Sequence, residues 1–288
     1  MAPLKVDGKL VTDAESQAEA LNNQFKSAFS EGRVYTDEEF AAKCCMPETQ
    51  VNSTLTSLNI TANGIKKILL GLNPHKAPGP DHISPKVLKA LANEIAPILT
   101  LIYQSSLNSG YVPQDWRNAN VAPIFKKGQQ YDPANYRPVS LTSIPCKIFE
   151  HVIVSAIMNH LETNEILRTE QHGFRKHRSC ETQLINFTDE LFTALENGNQ
   201  ANVIIMDFAK AFDKVNHSLL VHKLSKYGIQ GKINRWIKAF LENRHQSVVV
   251  NGAASSKVGV MSGVPQGSVL GPALFLAYIK TCLNSSPH

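Results

Sequence analysis

No apolar run in this 288-residue chain approaches the roughly 20 residues a helix needs to cross a bilayer. The opening MAPLKVDGKL lacks the apolar core of a signal peptide. Both absences point to a soluble, intracellular protein. The five cysteines, Cys44, Cys45, Cys146, Cys180 and Cys282, contain no C-x-x-C pair. An odd number without that spacing argues against a zinc ribbon or a secreted disulfide framework and fits a reducing compartment. The ten histidines are scattered, with no H-E-x-x-H spacing, so none is given a metal role. Net charge is only +5, which tolerates a phosphate-rich partner without demanding one. There is no internal repeat and no low-complexity tract. What is present, 43% hydrophobic and 18% charged residues, is enough for one large domain or two closely packed subdomains.

Hydrophobic periodicity supplies the elements. Thr12 and Glu15 stand at capping-box spacing ahead of Ala18, Leu21, Phe25 and Phe29, predicting a helix over residues 13–30. Irregular polar sequence follows to about residue 60 and reads as a linker. A short helix carries Ile65, Ile68, Leu69 and Leu72, and the proline-rich 73–85 reads as a shaped loop. Ser84 and Pro85 open the next helix as cap and first residue, with a kink expected at Pro97. Residues 119–125 and 135–141 read as strands, the second an edge because of Pro138. Helices follow over residues 147–161 and about 184–195. Residues 202–208, NVIIMDF, read as a strand ending in a carboxylate. Two more helices end near Gly228 and Leu241. A hairpin is centred on Asn251 and Gly252, with a connection longer than the tightest type, and one last apolar helix follows. Interleaved strands and helices give an α/β (α+β) layered fold.

Asp207 is the most informative single residue. A carboxylate ending an apolar strand sits at the rim of a sheet, where it can hold a metal without being buried unpaired. Two divalent ions commonly clamp the oxygens in phosphoryl transfer. On position alone, a cap for the following helix is the favoured reading of Asp207.

Its surroundings change that weighting. IIMDFAKAFDKVNH (204–217) followed by SGVPQGSVLGP (262–272) resembles the paired signature of reverse transcriptases from non-LTR (LINE-type) retrotransposons. LNPHKAPGPD, PIFKKG, NYRPVSLTS and QHGF agree in order upstream, so the resemblance runs from about residue 65 to residue 278. It implies a right-hand polymerase with fingers over about 61–200 and a partial palm over about 201–288, preceded by an N-terminal helix and linker over 1–60. Asp207 matches the first metal-binding aspartate, holding Mg2+ with the backbone carbonyl of Phe208. Phe212 matches the aromatic gate that clashes with a ribose 2′-hydroxyl, and Gln266 and Gly267 match the loop lining the nucleotide pocket. Lys126, Lys127 and Arg137 match the fingers cations that meet the triphosphate. Arg175, Lys176 and Arg178, in a basic loop, read equally as template-backbone contacts or as a solvated surface. Asp213 lies off the strand and reads as structural. His82 stands where the family often has glycine, a poor place for histidine if φ is positive.

The partners implied are an RNA template, a DNA primer and deoxynucleoside triphosphates, with no membrane; nuclear or cytoplasmic residence follows family habit only. The family's aromatic-Ala-Asp-Asp element and its thumb have no counterpart here, and no Asp or Glu follows Glu242. The expectation is therefore an RNA-directed DNA polymerase fragment, inactive alone. Two alternatives stand beside it: a non-catalytic nucleic-acid-binding remnant, and an RNA-making polymerase of the same architecture, against which Phe212 argues.

Overall fold

The computed structural model describes residues 1–36, 38–40 and 51–280; Cys44, Cys45, Cys282 and the tail after Lys280 lie outside them. The chain opens with a hairpin, β1 (Leu4–Val6) and β2 (Lys9–Val11), turned by Asp7 and Gly8 at positive φ. Helix α1 (Ala14–Lys26) is capped by Asp13, whose side chain accepts from the Ser16 amide at 2.8 Å. The expected box on Thr12 and Glu15 gives way because aspartate caps better than threonine.

Thr61 caps α2 (Ala62–Leu70). Ser84 and Pro85 open α3 (Pro85–Ala90) as expected, and α4 (Ala92–Ser109) follows. Leu91 (φ −101°, ψ 27°) separates the two helices, and Pro97 lies inside α4. Pro97 and Asn93 are both exposed, so the carbonyl left without a donor opens to water. In the proline-rich loop His82 adopts φ 55°, the left-handed conformation that glycine takes more readily.

After the short α5 (Gln114–Arg117) comes a mixed sheet. Its strands are β3 (Asn118–Phe125), β4 (Tyr136–Thr142), β5 (Arg244–Val250) and β6 (Ala253–Ala254), in the order β4-β3-β5-β6, with β7 (Val258–Val260) also on β5. β3 and β5 are parallel; the other pairs are antiparallel. Pro138 lies on β4, the edge strand, and faces Pro123. β5 runs beside only the first four residues of β3, so Pro123 owes no hydrogen bond on that side. β5 and β7 pair across the expected longer connection, within which Asn251 (φ 47°) and Gly252 (φ 87°) join β5 to the short β6 in a two-residue turn.

Helices α6 (Ile144–Thr163), α7 (Cys180–Glu196), α8 (His217–Lys226), α9 (Gly231–Leu241) and α10 (Leu270–Ile279) complete the order. All except α7 contribute to the main core. At its centre Tyr103 stacks on Phe149 at 4.8 Å, and Phe149 meets Trp236 edge-on at 4.8 Å. A smaller core sets Ala18, Leu21 and Phe25 of α1 against Val121, Val248 and Val250 of the sheet. Among the described residues no helix is long and apolar enough to cross a membrane.

One element departs from expectation. Residues 202–208 form no strand: they make no backbone hydrogen bond among the described residues, and Ile204 and Ile205 are 84% and 92% exposed. α7 forms where expected, yet none of its residues is buried, and Leu184, Phe187 and Leu195 face solvent. Apolar sequence becomes a strand only where a neighbour takes up its backbone groups, and no described strand lies beside this one.

The two apolar sets should respond differently to truncation. Phe149→Ala is expected to lower unfolding free energy in urea by about 3–5 kcal/mol, and Leu184→Ala by less than about 0.5 kcal/mol. Equal effects would place α7 in the core.

Candidate active site

The site is built by one loop docking on two elements. Residues 262–268 carry glycines at positive φ, Gly263 (87°) and Gly267 (114°). The Gly263 and Val264 amides donate to the Val215 and Phe212 carbonyls at 2.7 and 2.8 Å, and the Ser262 hydroxyl donates to the Asp213 carbonyl at 2.7 Å. On the other side the Ser140 amide of β4 donates to the Gln266 carbonyl at 2.7 Å. A Cβ on Gly267 would lie 2.7 Å from the Ser140 carbonyl oxygen, and one on Gly263 would lie 2.7 Å from the Phe212 carbonyl oxygen. Both positions thus need glycine for space as well as for φ. The loop fastens residues 210–215 to the sheet edge.

Phe212 is half-buried in that arrangement. It stacks on Phe275 of α10 at 4.8 Å and meets Phe174 edge-on at 6.0 Å. Phe174 belongs to the basic 171–179 loop, so this contact ties the loop to the site. The side-chain amide nitrogen of Gln266 donates to both carboxylate oxygens of Asp213, at 3.1 and 3.2 Å. Burial holds the Asp213 carboxyl above its ordinary range, against the opposing pull of that hydrogen bond and of Lys210.

Phe212, Gln266 and Gly267 therefore come together. Lys126, Lys127 and Arg137 form a second, separate group at the turn end of the β3–β4 hairpin, all exposed, with Arg137 opposite Ile124. Asp207 and Phe208 lie on the exposed, unpaired 201–208 segment. In the basic loop Arg175 is committed inward: its guanidinium bridges the Glu162 carboxylate and donates to the Arg168 and Gln171 carbonyls. Arg178 donates to the Thr169 carbonyl and contacts His172. Lys176 is exposed.

Mg2+ asks for hard oxygen donors, and two ions side by side ask for several carboxylates. Among the described residues no group of three His, Cys, Asp or Glu side chains is placed to hold a metal ion. Asp207 with the Phe208 carbonyl offers one carboxylate and one neutral oxygen, which falls short of a two-ion site.

Sequence reading passed over Glu150. It is fully buried on α6, and its Oε2 accepts from the Val269 and Leu270 amides, at 2.7 and 2.9 Å, where α10 begins. The signal was there, a lone carboxylate in the apolar KIFEHVI stretch. Burial raises the Glu150 carboxyl, opposed by the Leu270 amide, Arg244 and Lys147. It anchors the downstream end of the 262–268 loop.

Glu150→Ala should destabilise the chain by about 1–3 kcal/mol, because two buried N–H groups lose their acceptor; Glu150→Gln, which keeps one, should cost less. The native state holds its Glu150 proton to higher pH than the unfolded chain does. Wild-type stability should therefore fall as pH rises from the ordinary glutamate range to the raised native value, a component missing from Glu150→Gln. Chemical denaturation at stepped pH measures both effects.

Residues 124–288 match a family model described as reverse transcriptase (RNA-dependent DNA polymerase). The chain is 30% identical over 278 residues to a probable RNA-directed DNA polymerase from transposon BS of Drosophila melanogaster, covering 94% of this chain and 30% of that protein. It is 33% identical over 240 residues to the RNA-directed DNA polymerase from mobile element jockey of Drosophila funebris, covering 83% and 26%. A probable RNA-directed DNA polymerase from transposon X-element of Drosophila melanogaster is 33% identical over 215 residues, covering 74% and 24%. The chain thus spans between about a quarter and a third of the curated relatives it matches.

Proposed function

The chain belongs to the reverse transcriptase (RNA-dependent DNA polymerase) family, and from that premise we propose that it supplies the fingers and part of the palm of a retrotransposon enzyme that copies RNA into DNA. Its substrates on this reading are an RNA template, a DNA primer and deoxynucleoside triphosphates. The observation that carries it is the docked 262–268 loop, which sets Gln266 and Gly267 beside the turn that bears Phe212.

On this reading the half-buried Phe212 ring, held between Phe275 and Phe174, is the wall on which a 2′-hydroxyl would clash. Gly267 lets the backbone approach the nucleotide, and the exposed Lys126, Lys127 and Arg137 meet its triphosphate. Magnesium, when bound in the complete enzyme, would polarise the reacting phosphate, held by Asp207, the Phe208 carbonyl and the carboxylates of the aromatic-Ala-Asp-Asp element. Because the donors among the described residues do not make up that site, the purified chain is expected to give no primer extension. Extension that Asp207→Ala abolishes would overturn this.

The same shortage of donors favours a second reading, a nucleic-acid-binding remnant. Its uncommitted cation in the basic loop is Lys176, since Arg175 and Arg178 are engaged within the protein. RNA binding measured against salt should then be indifferent to Asp207→Ala, and Lys176→Ala should reduce the salt slope by about one.

Nucleotide competition tests the gate. Deoxynucleoside triphosphates should displace a labelled deoxynucleotide better than ribonucleotides do, and Phe212→Ala should narrow that preference by about tenfold, or about 1.4 kcal/mol. Equal competition in the wild-type chain would remove Phe212 from this role.

A further inference from the structure

Residues 27–36 leave α1 without forming a helix or strand, and part of that stretch straps back across the molecule. The Ser30 amide donates to the Ser262 hydroxyl and the Asn216 side-chain amide to the Arg33 carbonyl, both at 2.9 Å. With α8, the end of α9, the start of β5 and β7, this strap borders a cavity of about 490 Å³, a volume suited to a small molecule. Arg244, His245 and Val260 also border the crevice lined by Gln266, but neither Gln266 nor Phe212 lines the larger cavity.

The cavity has a lining of two kinds. Val34, Val221, Val260 and Met261 supply apolar surface. Three cations, Arg33, Lys238 and Arg244, also line it, against one carboxylate, Glu242, among the described residues. Arg33 pairs with Glu39 and lies over the Tyr35 ring, so it secures the strap. Lys238 meets Glu242 only at 3.9 Å, between two exposed side chains, and such a pair holds its charges loosely. Arg244 is buried: its Nη1 donates to the Phe240 carbonyl at 3.0 Å, and its Nη2 has no partner among the described residues. The neighbouring His245 likewise has a buried ring nitrogen, Nδ1, without a partner. Interior hydrogen bonds left unmade cost stability that a bound polar group would return.

The ten-residue α8 begins at the same place. Asn216, His217 and Ser218 line the cavity, and a helix N-terminus favours negative charge. His217 is held there by donating its Nε2 proton to the Gly263 carbonyl at 2.7 Å. Spare cationic donors beside a helix N-terminus suit a doubly charged oxyanion, and a bare ion would leave the apolar residues uncovered. We propose that this cavity binds a phosphate monoester with an apolar body: the phosphate is met by Lys238, Arg244 and the first turn of α8, and the body lies against Val221, Val260 and Met261. The proposal does not rest on the polymerase reading, whose Phe212, Gln266 and Gly267 lie outside this cavity.

Phenyl phosphate is the probe, with inorganic phosphate and phenol as its two halves. Each is titrated into the full chain and followed through the ring-proton resonances of His217, His222 and His245. In the wild-type chain those resonances should shift saturably with phenyl phosphate, about tenfold more tightly than with either half. No saturable shift overturns the proposal, and so does inorganic phosphate or phenol binding as tightly as the ester. Shifts that fall instead on Phe212 and Gln266 place the probe in the nucleotide pocket and overturn it too. None of these outcomes needs a variant. Lys238 and Met261 both have exposed side chains, so changes there spare the core. Lys238→Ala should weaken phenyl phosphate about tenfold and leave phenol unchanged, and Lys238→Arg should restore most of the loss. Met261→Glu, which sets a second carboxylate on the cavity lining, should weaken the ester and not phenol. Ester binding indifferent to both Lys238→Ala and Met261→Glu overturns the proposal, even where the wild-type titration saturates.

Discussion

The Ser140 amide and the Gln266 carbonyl meet at 2.7 Å, and the absence of a side chain at Gly267 makes that approach possible, since a Cβ there would press against the Ser140 carbonyl at the same distance. From this contact the rest of the site is organised. The loop is held at its far end by Glu150 at the start of α10 and at its near end by the carbonyls of Phe212 and Val215. The sheet edge, the 210–215 turn and the apolar α10 thereby become one body. Backbone bonds of this kind tolerate little displacement, so a change at any anchor is felt at Phe212 and Gln266 together.

Much of this was legible in the sequence, for identifiable reasons. Helices with a strict apolar period, such as α9 with Ile233, Trp236, Ile237 and Phe240, appear where the pattern places them. The edge character of β4 followed from Pro138. The strand expected over 202–208 did not, because periodicity reports hydrophobicity and carries no information on which neighbour will pair. The cap at Asp13 and the break at Leu91 turned on differences of a residue or so, below what composition resolves. Within the site, a motif brought Phe212 and Gln266 forward, whereas Asp213 and Glu150 act through contacts 53 and 119 residues away in sequence. No local pattern encodes such contacts.

The cations divide by what they already touch. Arg175 has a carboxylate and two carbonyls as partners and a side chain only 9% exposed, so it shapes the loop that carries Phe174 to Phe212. A planar five-donor group suits such cross-bracing. Lys126, Lys127 and Arg137 at the β3–β4 hairpin and Lys176 are exposed instead, and a lysine there is a compact charge on a flexible stem.

The ribbon of Val203, Ile204, Ile205 and Met206 bears on how the molecule behaves in company. Its side chains are 48–92% exposed, its peptide groups have no partner among the described residues, and α7 offers Leu184 and Phe192 on an equally open face. Uncommitted amides flanked by β-favouring side chains are a template for strand addition. A strand laid beside that ribbon would take up its peptide groups and cover its four apolar side chains.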